Sequence, residues 1–207
     1  MHKITSCIAA LLLPFIVASS DVYAQSTIKL STSETLDNED LMNVLRFQGI
    51  AMSKVKFTGT KLWGKDFKIS IRDYANGKLI KSYEIFDSKE DDFFKIKEQE
   101  FSFSVLAQST SSGSAKIDLR FPGFGIVKEF KLAANHKDFA LKSFQEGTAD
   151  IDFPVGESKS ILTFVMPYKT KNGSTHYPDL LQAEIKPEDL GKKLNIPRYF
   201  LIDLRFD

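Results

Sequence analysis

The segment FKISIRDYANGKLIKSYEIF, residues 67–86, carries the clearest fold signal in the chain. Apolar and polar residues alternate strictly over 67–72, and residues 79–86 follow as a second extended segment. Side chains alternate between the two faces of a β-strand, so this pattern predicts strands with one buried and one solvated face. The pair Asn76-Gly77 between them tolerates positive φ at both central positions of a tight type I′ turn. The segment therefore predicts an antiparallel β-hairpin.

The same alternation recurs along most of the chain and sets the expected fold class. It is found at Phe101–Val105, Lys116–Phe121, Asp150–Phe153 and Ile202–Phe206. Ile161–Met166 is apolar at both parities, which indicates a more central strand. We therefore expect an all-β, antiparallel two-sheet sandwich, immunoglobulin-like or jelly-roll-like, with nine or ten strands and at most one or two short helices.

The signals for helices and further turns are short. Asn38 is a candidate N-cap for a helix over residues 39–44, with acidic residues in its first turn. Residues 187–191, with proline first and glycine last, predict a single helical turn. Asn172-Gly173 predicts a further turn.

The N-terminus is interpreted as a secretory signal peptide over residues 1–24. A basic start is followed by an apolar run and by Val22-Tyr23-Ala24, with small residues at the cleavage positions. We expect cleavage after Ala24 and a single mature domain over 25–207. The polar stretch at 133–138 is either a boundary between two smaller β units or a connection inside one sandwich. The expected location is secreted, periplasmic or on the cell surface, of a bacterial type.

Composition excludes several classes of protein. The one cysteine, Cys7, lies in the predicted signal peptide, so the mature domain is not a disulfide scaffold. A formal net charge of +1 gives no electrostatic footprint for nucleic acid or for an anionic membrane. The mature chain has no apolar segment long enough to cross a bilayer as a helix.

Catalytic and metal-binding motifs are missing from the sequence. The mature chain has two histidines, His136 and His176, and neither belongs to a zinc-type spacing. No Gly-x-Ser-x-Gly nucleophile motif occurs. The acidic segments 36–40 and 87–92 lack the spacing of a calcium loop and are interpreted as a helix start and a solvated turn. We therefore predict no catalytic residue, no metal site and no cofactor.

Aromatic residues in loops are the candidate ligand-binding residues. Trp63, the one tryptophan, lies between two strands and beside Gly64. A loop tryptophan can stack on a sugar ring or anchor a protein partner. The more ordinary interpretation is that Trp63 covers the edge of the core. Tyr168 and Tyr177, which flank the Asn172-Gly173 turn, are weaker candidates with the same alternative.

A set of basic residues offers a further binding hypothesis. Six cations that are close in sequence are able to line one face for an acidic glycan: Lys54, Lys56, Lys61, Lys65, Lys68 and Arg72. Lysines on the wet face of a strand also serve to prevent aggregation between sheet edges.

Three functions follow as hypotheses. The leading one is a secreted, non-catalytic binding or structural module that presents loops or a sheet edge to a glycan or an envelope protein. The first alternative is a secreted hydrolase that uses a pair of carboxylates. The second is a small outer-membrane β-barrel, which the recurrence of lysine and arginine on the polar strand faces disfavours.

Overall fold

The computed structural model describes residues 27–34, 36, 38–132, 138–145, 151–180 and 185–207. Within them the chain folds into two main antiparallel sheets that pack together, which confirms the predicted all-β sandwich. The predicted signal peptide, His136 and most of the polar stretch at 133–138 lie outside the described residues.

The strands form a six-stranded sheet, a five-stranded sheet and one short separate pair. In chain order they are β1 (Ile28–Ser33), β2 (Ile50–Thr58), β3 (Phe67–Ala75), β4 (Lys78–Asp87), β5 (Glu100–Ser109), β6 (Ser114–Phe121), β7 (Phe124–Lys131), β8 (Ala140–Ser143), β9 (Ile151–Phe153), β10 (Lys159–Val165), β11 (Tyr168–Lys169), β12 (Thr175–His176) and β13 (Arg198–Phe206). The six-stranded sheet has the order β7-β6-β5-β2-β1-β9, and the five-stranded sheet has the order β4-β3-β13-β10-β8. Among the described residues this is more strands than the nine or ten expected, because β8, β11 and β12 are too short to show alternation.

Phenylalanine and aliphatic side chains fill the space between the sheets. The ring of Phe57 on β2 packs edge-on against Phe153 on β9, with centroids 5.0 Å apart, and against Phe206 on β13, at 4.9 Å. β13 belongs to the five-stranded sheet and the other two strands to the six-stranded sheet, so these rings join the sheets directly. Burial of one phenylalanine side chain contributes about 1.5–3 kcal/mol. The phenylalanine rings therefore contribute substantially to the stability of the sandwich, together with the aliphatic side chains around them.

The predicted turns have the expected backbone geometry. Asn76 and Gly77 have φ values of 49° and 73°, as the type I′ turn between β3 and β4 requires. At residues 170–174 the positive φ is at Gly173, and the amide of Gly173 donates to the carbonyl oxygen of Thr170 at 2.9 Å. Both predicted turns are confirmed.

The two helices lie near their predicted positions. α1 (Glu39–Phe47) begins after Asn38, whose side-chain oxygen accepts a hydrogen bond from the amide of Leu41 at 3.0 Å. It extends three residues beyond the predicted end and has no buried side chain. The helical turn predicted over 187–191 is a 3₁₀ turn at Pro187–Asp189 that continues into α2 (Leu190–Leu194), three residues beyond the predicted end.

The outer face of the five-stranded sheet is covered by the chain between β10 and β13. Tyr74 and Tyr199 on this face stack with ring centroids 4.8 Å apart, and Leu190 of α2 belongs to the same buried cluster. The hydroxyl of Tyr199 donates to the carbonyl oxygen of Glu188 at 2.8 Å. Burial raises the pKa of Tyr199 to about 12. This sheet therefore has apolar contacts on both faces.

An ion pair on the same face connects β3 with β13. Arg72 donates two hydrogen bonds to Asp203, from Nε to Oδ2 at 2.6 Å and from Nη2 to Oδ1 at 3.1 Å. The hydroxyl of Ser160 on β10 donates to Oδ1 of Asp203 at 2.5 Å. Asp203 is almost wholly buried, so these hydrogen bonds replace the water that its carboxylate loses on folding.

Gly191→Ala should destabilise the protein, although alanine is the better helix former. An added Cβ would lie 2.7 Å from the Cα of Gly77 and 2.8 Å from the ring of Tyr199. Overpacking of this kind costs about 1–3 kcal/mol, which outweighs the gain of ~1 kcal/mol in helix propensity. Equilibrium urea unfolding measures the change. The control Lys193→Ala, at an exposed position of α2, should shift the free energy of unfolding by less than about 0.5 kcal/mol; equal effects would contradict the prediction.

Asp203→Ala should lower the free energy of unfolding by about 3 kcal/mol, because it leaves the half-buried Arg72 without its counter-charge. The matched control is Asp152→Ala, which breaks the exposed pair with Lys29 and should cost less than about 1 kcal/mol. Both variants are measured by chemical denaturation. A loss of similar size in both variants would show that the buried ion pair contributes no more to the free energy of unfolding than the exposed pair does.

Candidate functional site

Trp63 is exposed to solvent at one end of the sandwich. Its exposed fraction is 67%. The preceding residue, Leu62, is fully buried and packs in the core in its stead. The loop around it is held by the amide of Gly64, which donates to the carbonyl oxygen of Ile96 at 2.8 Å. This position suits a stacking platform better than a cover of the core. A ligand-binding role for Trp63 stays a prediction.

Tyr168 and Tyr177 lie at the opposite end of the sandwich from Trp63. Tyr168 is half-buried on β11 and faces His176, with ring centroids 6.3 Å apart. Tyr177 is 41% exposed; its partial burial raises its pKa, and the charge of Asp138 adds to this. Met166, just before β11, hydrogen bonds to the first residue of β13, whereas the loop of Trp63 ends near the last residues of β13. The structure therefore does not bring the three aromatic candidates together.

The six basic residues do not form one face. Lys54 and Lys56 project outward from β2 in the six-stranded sheet, while Lys68 and Arg72 lie on β3 in the five-stranded sheet. Because the two sheets pack against each other, these pairs are on opposite sides of the sandwich. The hypothesis of one basic patch is therefore wrong. Lys54 and Lys56 lie on one side of the sandwich, and Lys68 and Arg72 lie on the other.

The acidic segment 87–92 caps its own backbone. Asp87 accepts a hydrogen bond from the amide of Lys89 at 3.1 Å, and Asp91 accepts one from the amide of Phe93 at 2.8 Å. The hydrogen bond from Lys68 is the main reason why the pKa of Asp87 lies below its ordinary value. Among the described residues, no three His, Cys, Asp or Glu side chains are grouped so as to hold a metal ion.

The outer face of the six-stranded sheet carries two rows of hydrogen-bonding side chains. Each row crosses neighbouring strands with its members directly opposite one another: Ser33, Lys54, Ser104 and Arg120 in the first, and Ser31, Lys56 and Ser102 in the second. Opposite side chains on adjacent strands are about 5 Å apart. The rows line a groove of about 590 Å³, the polar groove.

The polar groove has an excess of positive charge. Lys54, Lys56 and Arg120 line it together with one carboxylate, Glu100. Lys56 pairs with Glu100 at 2.7 Å, and Arg120 pairs with Asp118 at 2.7 Å. In the part of the chain that the structure describes, Lys54 has no ion pair. Its exposed ammonium group is therefore available to an anion.

Gly125 on β7 makes room for the side chain of Arg120. An added Cβ would lie 2.7 Å from Nη1 of Arg120 and 2.8 Å from its Cδ. Gly125 and Arg120 are directly opposite each other in the pairing of β6 with β7. The arginine thus lies across the glycine, at the side of the groove, with its guanidinium group held by Asp118.

A second groove, of about 350 Å³, opens beside the polar groove and is the aromatic groove. It is lined by phenylalanine rings from several strands and one loop: Phe67, Phe93, Phe94, Phe101, Phe121 and Phe124. The two grooves share Glu100, Ser102, Phe121 and Pro122. Ile96, whose carbonyl oxygen accepts the hydrogen bond from Gly64 in the loop of Trp63, also lines the aromatic groove. Trp63 and the aromatic groove therefore lie at the same end of the sandwich.

The two grooves adjoin each other through their shared lining residues: the polar groove lies on the open outer face of the six-stranded sheet, and the aromatic groove lies at the end of the sandwich, where Phe67 of the five-stranded sheet also lines it. Comparison with protein-family models, with curated proteins and with solved structures found no match. No helix in the described ranges combines the length and the apolar character needed to cross a membrane.

The serines of the polar groove were not among the predicted site residues. Their signal in the sequence is the presence of serine at alternate positions, Ser31 and Ser33 in one strand and Ser102 and Ser104 in another. That pattern also describes any solvated strand face. What distinguishes these four serines is the register that places them beside Lys54, Lys56 and Arg120.

Gly125→Ala should move Arg120 with little loss of stability. The atoms that the new Cβ meets belong to a flexible side chain, so we expect the free energy of unfolding to change by less than about 1 kcal/mol. NMR should show a shifted Nε–Hε resonance for Arg120. The control is Gly123→Ala, which has open space but a φ of 88°, and which should destabilise without moving that resonance. An unchanged resonance in Gly125→Ala would contradict the contact.

Proposed function

We propose that this protein is an exported, non-catalytic binding module that holds an anionic ligand in the polar groove. The observation that carries the proposal is the pair of cross-strand rows, in which serine hydroxyls alternate with Lys54, Lys56 and Arg120. Serine hydroxyls both donate and accept hydrogen bonds, while the cations only donate. Such a surface suits a ligand rich in hydroxyl and acidic groups.

An acidic saccharide is the ligand class that best fits this chemistry. The groove volume of about 590 Å³ lies within the range of small-molecule sites. Two exposed rings lie at the end of the sandwich where the aromatic groove opens: Trp63 and Phe93, which is 73% exposed. Rings of this kind can stack on the apolar face of a sugar. Export, expected from the signal peptide, would place the protein where such glycans occur.

Binding is favoured over hydrolysis by the state of the carboxylates. Glu98 and Glu100 both line the aromatic groove and are the closest approach to a carboxylate pair at this site. Glu100 is half exposed and forms an ion pair with Lys56. A glycosidase requires two carboxyls that face each other across the bond to be broken. A carboxylate held by a lysine in solvent serves better to position that lysine.

Binding to acidic polysaccharides should depend on Lys54 and Lys56. We expect the mature protein to bind uronate-containing or sulfated polysaccharides more tightly than neutral ones, and to lose affinity as salt is raised. The double variant Lys54→Gln/Lys56→Gln should weaken binding by about tenfold or more, since each lost charge contact contributes on the order of 1 kcal/mol. Isothermal titration calorimetry measures the affinities.

The matched control is Lys171→Gln/Lys193→Gln, which removes the same charge from exposed positions outside the groove. It should bind as the wild type does. Trp63→Ala tests whether the loop aromatic contributes. Equal binding of neutral and acidic polysaccharides, or equal loss in both double variants, would overturn the proposal. Loss in Trp63→Ala with no loss in the groove variant would move the site to the loop.

A further inference from the structure

The aromatic groove begins where the polar groove ends. Ser102 lines both grooves, and so does Pro122 in the turn between β6 and β7. A ligand seated against the serines of β5 therefore has a phenylalanine-lined surface directly next to it. The change from hydroxyl and ammonium groups to aromatic rings takes place over a few residues.

The walls of the aromatic groove form a packed series of rings. Phe121 and Phe124 stack with centroids 4.6 Å apart, and Phe94 packs edge-on against Phe124 at 5.1 Å. These contacts hold the rings in place and make the groove part of the fold. Phe93 packs on Phe94 at 5.3 Å, yet most of its own surface faces solvent. A large exposed apolar side chain beside a groove is a feature of binding sites.

We propose, on the basis of the function proposed above, that the ligand is an anionic amphiphile. Its acidic headgroup lies in the polar groove beside Lys54, and its apolar chain enters the aromatic groove past Ser102. A glycolipid or lipid phosphate has this chemistry. The charge of the polar groove selects the headgroup, and the phenylalanine rings select the chain.

The aromatic groove fits an alkyl or acyl chain better than a second sugar. Its volume of about 350 Å³ is at the lower end of the range for small-molecule sites. Its walls at Phe94, Phe121 and Phe124 provide no hydrogen bonds for sugar hydroxyls, and burying a hydroxyl without a partner is unfavourable. Charged side chains also line the groove, among them Glu98, Glu100 and Lys97, and Nζ of Lys97 lies 5.9 Å from the centroid of the Phe93 ring.

Three soluble probes separate the headgroup from the chain. Decyl phosphate has both parts, ethyl phosphate has the same headgroup without the chain, and decyl maltoside has the same chain with a neutral head. Each is titrated into the mature protein by calorimetry below its critical micelle concentration, checked by light scattering. We expect decyl phosphate to bind about tenfold more tightly than either other probe, or better, because burial of each methylene adds affinity.

Ser102→Trp tests the path between the grooves. The added ring would fill their junction from the outer face of β5, where tryptophan is compatible with a strand. We expect decyl phosphate to bind this variant no more tightly than ethyl phosphate. The control is Ser82→Trp, on the exposed part of β4, which should bind as the wild type does. Phe93→Ser gives an independent test at a side chain outside the core: it should weaken decyl phosphate several-fold and leave ethyl phosphate unchanged.

The outcomes distinguish this inference from the function on which it rests. Equal affinity for ethyl and decyl phosphate would overturn the amphiphile and leave the anionic ligand in place. Decyl maltoside binding as tightly as decyl phosphate would overturn the anionic headgroup. Binding of neither phosphate ester, together with no binding of acidic polysaccharides, would overturn both proposals.

Discussion

The packing of phenylalanine rings between the two sheets is the constraint on which the rest of the structure depends. Phe57, Phe153 and Phe206 join strands of both sheets through edge-to-face contacts. Because side chains alternate along a strand, a residue that enters this interior sends its neighbours outward. Val55 and Phe57 are buried, so Lys54 and Lys56 must face solvent. The polar groove is thus a direct consequence of how the core is filled.

The two sheets differ in what covers their outer faces, and this asymmetry directs attention to one of them. The chain between β10 and β13 closes much of the five-stranded sheet, where Tyr74 and Tyr199 stack beneath α2. Arg72 on that sheet is engaged with Asp203 and is not available to a ligand. The outer face of the six-stranded sheet keeps Lys54, Lys56 and Arg120 exposed. The proposed binding role therefore concerns this face and the end of the sandwich that adjoins it.

Most of the local structure was predictable, whereas the candidate site was not. Alternation at 67–72 and 116–121 predicts strands because the side of the sheet that a residue faces, buried or solvated, decides whether it is apolar or polar. The Asn76-Gly77 turn and the Asn38 cap are equally local, since the residue supplies the φ angle or the hydrogen bond itself. Ser33, Lys54 and Ser104 come from three distant segments, and their meeting depends on register. Alternation alone assigns Lys54 and Lys68 to wet faces without saying that these faces point in opposite directions.

The amino-acid sequence was sufficient to establish an all-β domain, its hairpin turns and the capped start of α1, because these depend on period-two patterning and on the conformational preferences of single residues. The order of strands, the cover over one sheet and the union of the polar and aromatic grooves came from tertiary packing. The physical reason is that strand pairing is non-local. Side chains that lie about 5 Å apart across β1, β2, β5 and β6 are separated by long stretches of chain, and only the burial of the shared core brings them into register.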